Sequence, residues 1–194
     1  MTQDNLDLQT ITCRNVSLTP LCHYDKDYRQ VLAREVRKLF QTYGWTGSNP
    51  TKWGYLADPL GQHDDNLPWT TVALIDGEVV GSASLVRRDH SGLDCGPWLA
   101  GLVVRPDHKK TGIGSFLIRE IELHAANLHR CWHPDLLEGK IYLDTERTIN
   151  AFDSVAMYAR RGWNFLSREY EHRQDGIVMA KPLGILRFPG KADE

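Results

Sequence analysis

"LVVRPDHKKTGIGSFLIREIE", Leu102 to Glu122, passes from apolar residues through a basic turn with two glycines into a segment of helical spacing. Ile113, Leu117, Ile121, His124 and Leu128 recur every three to four residues, with Phe116 and Ala125 flanking the same stripe, which predicts an amphipathic helix from about Gly112. Upstream, "PWLAGLVV" from Pro97 to Val104 reads as a strand. The order strand, glycine turn, helix limits what the turn can be. A Walker phosphate loop requires Gly-Lys-Ser/Thr at its end, whereas here the lysines precede the glycines. A dinucleotide fingerprint requires a third glycine where Leu117 stands. What remains is a helix amino end, whose unpaired N–H groups and partial positive charge attract phosphate. Gly112 and Gly114 lack a Cβ and let an anion approach the backbone, while Lys109 and Lys110 add positive charge at the rim. Taken alone, the glycine pair also suits a tight helix entry that binds nothing.

The rest of the chain supplies the setting. "TITCRNVSL" alternates apolar and polar residues around Ile11, Cys13 and Leu18 and reads as a first strand. "DYRQVLAREVRKLFQTY" carries Val31, Leu32, Val36, Leu39, Phe40 and Tyr43 at helical spacing, with Asp25 or Asp27 as its cap. Gly44 to Trp69 has no clean period and reads as an irregular surface segment. "TTVALIDGEVVGSASLVRRD" is a hairpin, because Asp76-Gly77 supplies the positive φ angles of a two-residue turn. "KIYLDTE" and "GIVMAKPL" read as strands, "AFDSVAMYARRGW" as a short helix ended by Gly162, and Trp163 to Leu166 as one further short strand. The expected fold is α/β: a single mixed, mostly antiparallel sheet of 6–7 strands with helices on both faces, in one domain spanning residues 1–194.

Composition narrows the class. The 194 residues are 41% apolar and 25% charged, near the globular average, so a packed core is expected. A formal charge of −2 argues against a nucleic-acid partner, which calls for a basic surplus on one face. No apolar run reaches the ~18–20 residues of a membrane span, and "MTQDNLDLQT" lacks the basic start and apolar stretch of a signal peptide. A cytoplasmic address is the expectation. Cys13, Cys22, Cys95 and Cys131 form no CxxC pair and read as reduced, buried or half-buried thiols. His124, His129, Cys131 and His133 are metal-ligand types in a short span, but helical periodicity ends inside it and no second cluster pairs with it. We read a solvated helix end and expect no metal.

The stretch around the glycine pair resembles the acyl-coenzyme A binding motif of the GNAT superfamily of N-acetyltransferases, a strand ending in Val-x-Pro followed by Arg/Gln-x-x-Gly-x-Gly/Ala. Val104 and Pro106 match the strand end, Gly112 and Gly114 match the glycines, and Lys109 stands for the usual arginine or glutamine. Lys110 occupies a place where many members have glycine, so a positive φ there would strain the turn. The likeness runs from about Thr70 to Leu183 and includes "SVAMYARRGW", which is similar to the family's Ala-x-x-Tyr-x-x-x-Gly-Phe segment.

The resemblance implies acetyl-coenzyme A as cosubstrate and an amine acceptor. Pantetheine would lie as a pseudo-strand against the backbone of Leu102, Val103 and Val104, where the strand splays from its neighbour. The pyrophosphate would rest on the amides of Lys109, Lys110, Thr111, Gly112, Ile113 and Gly114. Tyr158 corresponds to the family's proton donor to the departing thiolate, and the Val104 N–H to an oxyanion donor. The base stays open among Asp144, Glu146 and a water relay, because "PWLAGLVV" carries no carboxylate. Asn150 either contacts pantetheine or caps the following helix. Trp45, Trp53 and Tyr55, with Asp58, Asp64, Asp65, Asp89 and Asp94, either form a mouth for a cationic amine or are loop aromatics and solvated carboxylates. The rivals to an enzyme are a catalytically idle acyl-coenzyme A sensing domain and an interaction protein whose turn binds nothing. Monomer and homodimer both remain open.

Overall fold

A computed structural model of the protein describes residues 16–43, 67–88, 95–131, 139–146, 151–166 and 176–183. β1 (Val16–Pro20) leads through a 3-10 turn, Leu21–His23, to α1 (Lys26–Tyr43). The Asp25 carboxylate accepts the N–H groups of Asp27 (3.1 Å) and Tyr28 (3.0 Å), so Asp25 is the cap. β2 (Trp69–Ile75) and β3 (Glu78–Val86) form the hairpin, with Asp76 at φ 50° and Gly77 at φ 84°. Then come β4 (Trp98–Val104), α2 (Ile113–Cys131), β5 (Lys140–Glu146), α3 (Ala151–Ala159), β6 (Asn164–Phe165) and β7 (Gly176–Pro182).

These strands make one sheet in the order β1-β2-β3-β4-β5-β7-β6. All neighbours run antiparallel except β4 and β5, which are parallel. The expected mixed sheet is thus present, with seven strands among the described residues. Alternate strand residues divide its two faces. Leu32, Val36 and Leu39 of α1 pack on Val72, Leu74, Val79 and Val103. Ile113, Leu117, Ile118, Ile121 and Ala125 of α2 pack on the other face with Ala73, Val80, Ala83, Leu85 and Leu99. α2 therefore follows the β4 turn directly across the sheet from α1.

Three readings need correction. The first strand lies later than its alternation suggested: Leu18 is in β1, which continues to Pro20, while Ile11 and Cys13 lie outside the described residues. β1 is an edge strand, where proline's missing N–H is tolerated. Trp69 opens β2 instead of closing an irregular segment. Cys22 is exposed, not half-buried, whereas Cys95 is half-buried as expected. Among the described residues no helix is long and apolar enough to cross a membrane.

Candidate active site

The site begins where two strands part. β4 pairs with β5 only at Trp98–Tyr142 and Leu99–Leu143, with the Tyr142 N–H donating to the Pro97 carbonyl at 2.9 Å. Beyond Leu99 the ladder between them ends, while β3 still pairs with β4 up to Val104 and β7 pairs with β5 up to Glu146. The β5-facing edge of β4, from Ala100 to Val104, is outside that ladder. A bulge on β4 accompanies the parting. Ser82 pairs with Val103 and Ser84 with Ala100, so three steps on β4 oppose two on β3, and Gly101 absorbs the irregularity at φ 60°. Along this edge Leu102 and Val104 are half-buried, and Val103 is buried in the α1 core.

The turn after β4 is built by local bonds. Pro106–His108 forms a single 3-10 turn, and the Lys109 N–H donates to the Pro106 carbonyl at 3.2 Å. The Thr111 hydroxyl donates to the His108 carbonyl at 2.6 Å. Lys110 adopts φ 64° and Gly112 φ 94°. Lys110 thus holds the left-handed backbone conformation that glycine adopts without a steric cost. The Phe116 N–H donates to the Gly112 carbonyl at 3.1 Å, so the N–H groups of residues 112–115 precede the helical ladder of α2. Ile113 sends its side chain into the core, anchoring the helix start. Lys109 and Lys110 are exposed. Arg105 is engaged elsewhere, on Glu78 at 3.1 Å and on Asp107, whose carboxyl it holds down to about 2.

Tyr158 lies on α3, packed with Ile141 and Leu143 of β5 on the α2 face. Its carbonyl accepts the N–H of Trp163 at 3.2 Å, the Ala159 carbonyl accepts the N–H of Gly162 at 3.0 Å, and Gly162 sits at φ 83°. This is a Schellman C-cap, the helix end that Gly162 predicted. Burial pushes the Tyr158 phenol well above its ordinary range, an effect that the Arg161 charge partly offsets. The phenol is therefore protonated at neutral pH.

Asp144 sits on β5 opposite Val178, on the face that carries Trp98, Tyr142 and Ala180, away from Tyr158. Glu146 ends β5 opposite Gly176. Asn150, with Trp45, Trp53, Tyr55, Asp58, Asp64, Asp65, Asp89, Asp94 and His133, lies outside the described residues. For His124 the solvated reading does not hold: its ring stacks on Trp69 at 3.7 Å, and its buried Nε2 has no hydrogen-bond partner. That burial lowers its pKa to about 4. A groove of about 500 Å³ between α1 and the β2–β3 turn, lined by Tyr28, Val31, Lys38 and Tyr43 among others, contains none of the predicted site residues.

Sequence reading missed two participants. Gly101 gave no local sign of a bulge. Arg161, one of two adjacent arginines, donates to the Met157 carbonyl at 2.9 Å and to the Ser115 hydroxyl, joining α3 to the first turn of α2.

Comparison with known proteins identifies the family and the fold. A family model described as "Acetyltransferase (GNAT) family" matches residues 33–163. The fold is similar to an acetyltransferase from Streptococcus agalactiae 2603, at 15% identity over 87% of this chain and 99% of that one, with TM-score 0.64. It is similar to the ribosomal-protein-S18-alanine N-acetyltransferase of Escherichia coli, at 17% identity over 88% and 95%, with TM-score 0.57. It is similar also to an aminoglycoside 6′-N-acetyltransferase solved with coenzyme A, at 18% identity over 91% and 99%, with TM-score 0.58. No curated protein matches its sequence.

Proposed function

The chain belongs to the GNAT acetyltransferase family and is an acyltransferase, and from that premise we propose that it moves the acetyl group of acetyl-coenzyme A to a primary amine by direct transfer in a ternary complex. The observation that carries this reading is the end of the β4–β5 ladder at Leu99 and Leu143. It leaves the Ala100–Val104 edge open just before the turn that leads into α2, where the N–H groups of residues 112–115 precede the helical ladder. An extended pantetheine arm fits such an edge by strand addition, using backbone groups of Leu102 and Val104 on either side of Val103, which pairs with Ser82 of β3. The diphosphate then falls on the amides that follow Lys109, up to Gly114, because the Lys109 N–H is already given to the Pro106 carbonyl; the two lysine charges lie beside it. A relative of the same fold solved with coenzyme A supports this choice of ligand.

The chemistry asks for a neutral amine, an oxyanion donor and a stabilised thiolate. A lysine-like amine has an unperturbed pKa near ~10.4, so it must lose a proton before attack. Asp144 or Glu146, or a water relay without a dedicated base, takes that proton. The Val104 N–H donates to the developing oxyanion. The thiolate leaves with a pKa of about 8.5, and the protonated Tyr158 phenol supplies the hydrogen bond that accompanies its departure. Binding both substrates together lets positioning provide most of the acceleration.

β4 carries no carboxylate from Trp98 to Val104, which favours the second reading, a domain that binds acyl-coenzyme A without turning it over. Initial rates at several concentrations of both substrates test the mechanism. Intersecting reciprocal lines support the ternary complex, and parallel lines, the mark of a covalent acyl-enzyme, would overturn it.

A further inference from the structure

We propose that Arg161 is a positioning residue for acetyl transfer, locking the helix that carries Tyr158 onto the turn that receives the diphosphate, so that cofactor grip and proton-donor placement form one rigid unit. The inference rests on the acetyl-coenzyme A reading above. Its basis is a pair of staples between the end of α3 and one face of α2. Arg161 reaches the Ser115 hydroxyl in the first turn of α2 and, with its other nitrogen, the Met157 carbonyl one turn back on α3. Trp163 donates its indole N–H to Glu122 at 2.9 Å, and the same carboxylate takes the Lys181 ammonium of β7 at 2.7 Å. Ser115 and Glu122 are seven residues apart, two turns and roughly 10 Å along the same helix face. Tyr158 lies between Met157 and Arg161, the two residues that the first staple ties together.

The two staples differ in what they touch. The Glu122 staple is remote from the glycine turn and braces the sheet side through Lys181. The Arg161 staple ends on Ser115, directly after Gly114 and among the N–H groups that precede the α2 ladder. Among the described residues no carboxylate pairs with the Arg161 guanidinium. The planar fork is suited to this task because it spans two acceptors in fixed geometry, which an ammonium cannot do. A shift of the α2 turn is thereby passed to α3 through side chains that already hold both ends.

Such a link has a signature that a merely structural role lacks. Binding of a remote group is expressed in turnover only where it is rigidly connected to the reacting centre. The test compares acetyl-coenzyme A with acetyl-pantetheine, which lacks the nucleotide diphosphate, in the full chain carrying Arg161→Ala, Arg161→Lys or Ser115→Ala. In the wild type, removing the nucleotide lowers kcat as well as raising KM. In all three variants kcat with acetyl-coenzyme A falls, by up to about 10²-fold, while kcat with acetyl-pantetheine changes little. Should Arg161→Ala fail to fold, Ser115→Ala removes a single hydroxyl and makes the same comparison. Equal losses on both thioesters, wild-type turnover in the variants, or full rescue by lysine would overturn the inference alone. A wild type that neither binds acetyl-coenzyme A nor releases thiol from it would instead overturn the functional reading on which this one stands.

Discussion

The rings of Tyr158 and Trp163 meet edge to face, with centroids 5.9 Å apart and planes at 63°. They are the two ends of the Schellman turn, so one local motif both terminates α3 and packs the candidate proton donor. The Trp163 indole is itself tied to Glu122, and the phenol ring is thus held from a helix other than its own.

Tyr158→Phe keeps this packing and removes only the hydroxyl. Turnover on a good amine is expected to fall by roughly 10²-fold, at the low end for acid catalysis because a thiolate leaves readily. Affinity for acetyl-coenzyme A, read by calorimetry, stays near the wild-type value. Unchanged turnover would remove Tyr158 from the chemistry.

Gly162→Ala tests the cap by strain alone. At φ 83° a Cβ meets no atom closer than the Lys181 Cε at 3.9 Å, so crowding contributes little. The left-handed backbone costs about 1–2 kcal/mol for a residue with a Cβ, which lowers Tm by roughly 2–8 °C in a chain of this size. A thermal melt with no loss would show that the turn relaxes.

In the glycine turn two opposed effects decide Lys110→Gly. Relief of the φ 64° strain gains about 1 kcal/mol, and glycine's added freedom in the unfolded chain costs about 0.5–1 kcal/mol, so Tm should barely move. The lost charge weakens acetyl-coenzyme A binding, more so at low salt. Gly112→Asp, by contrast, adds both a strained Cβ and a negative charge where the diphosphate would rest, and binding should vanish. Retained affinity in that variant would contradict the phosphate role of the turn.

His124 makes stability depend on pH in one direction. Its folded pKa is lowered from 6.5 to about 4 by burial, so the folded state binds the proton later than the unfolded state does. Its contribution is complete above about pH 6.5 and is lost as pH falls toward about 4. His124→Phe retains a ring against Trp69 without a titrating group, and its Tm should fall less over that window. An identical acid-induced fall in both proteins would assign the sensitivity elsewhere.

What could be read in advance follows the range of the interactions involved. Asp76-Gly77, Gly162 and the α2 stripe were legible because a turn, a cap and a helix face are each dictated by residues a few positions apart. Lys110 was legible as a strained position, since the motif asks for glycine there. The β4 bulge was not, because "LAGLV" acquires its extra residue only against Ser82 and Ser84 of β3. Nor was the Trp69–His124 stack, or the Arg161–Ser115 bond across 46 residues, since nothing local in either partner demands the other. The candidate site was legible as a turn and a tyrosine. How α3 is bound to the turn needed the fold.

The most direct measurement is free thiol released from acetyl-coenzyme A across a panel of primary amines, with hydrolysis by the enzyme alone subtracted. The account predicts that at least one amine yields thiol and N-acetylated product in equal amounts, and that Tyr158→Phe slows both together. Tight binding of acetyl-coenzyme A with no amine acetylated would contradict it and leave a binding domain in place of an enzyme.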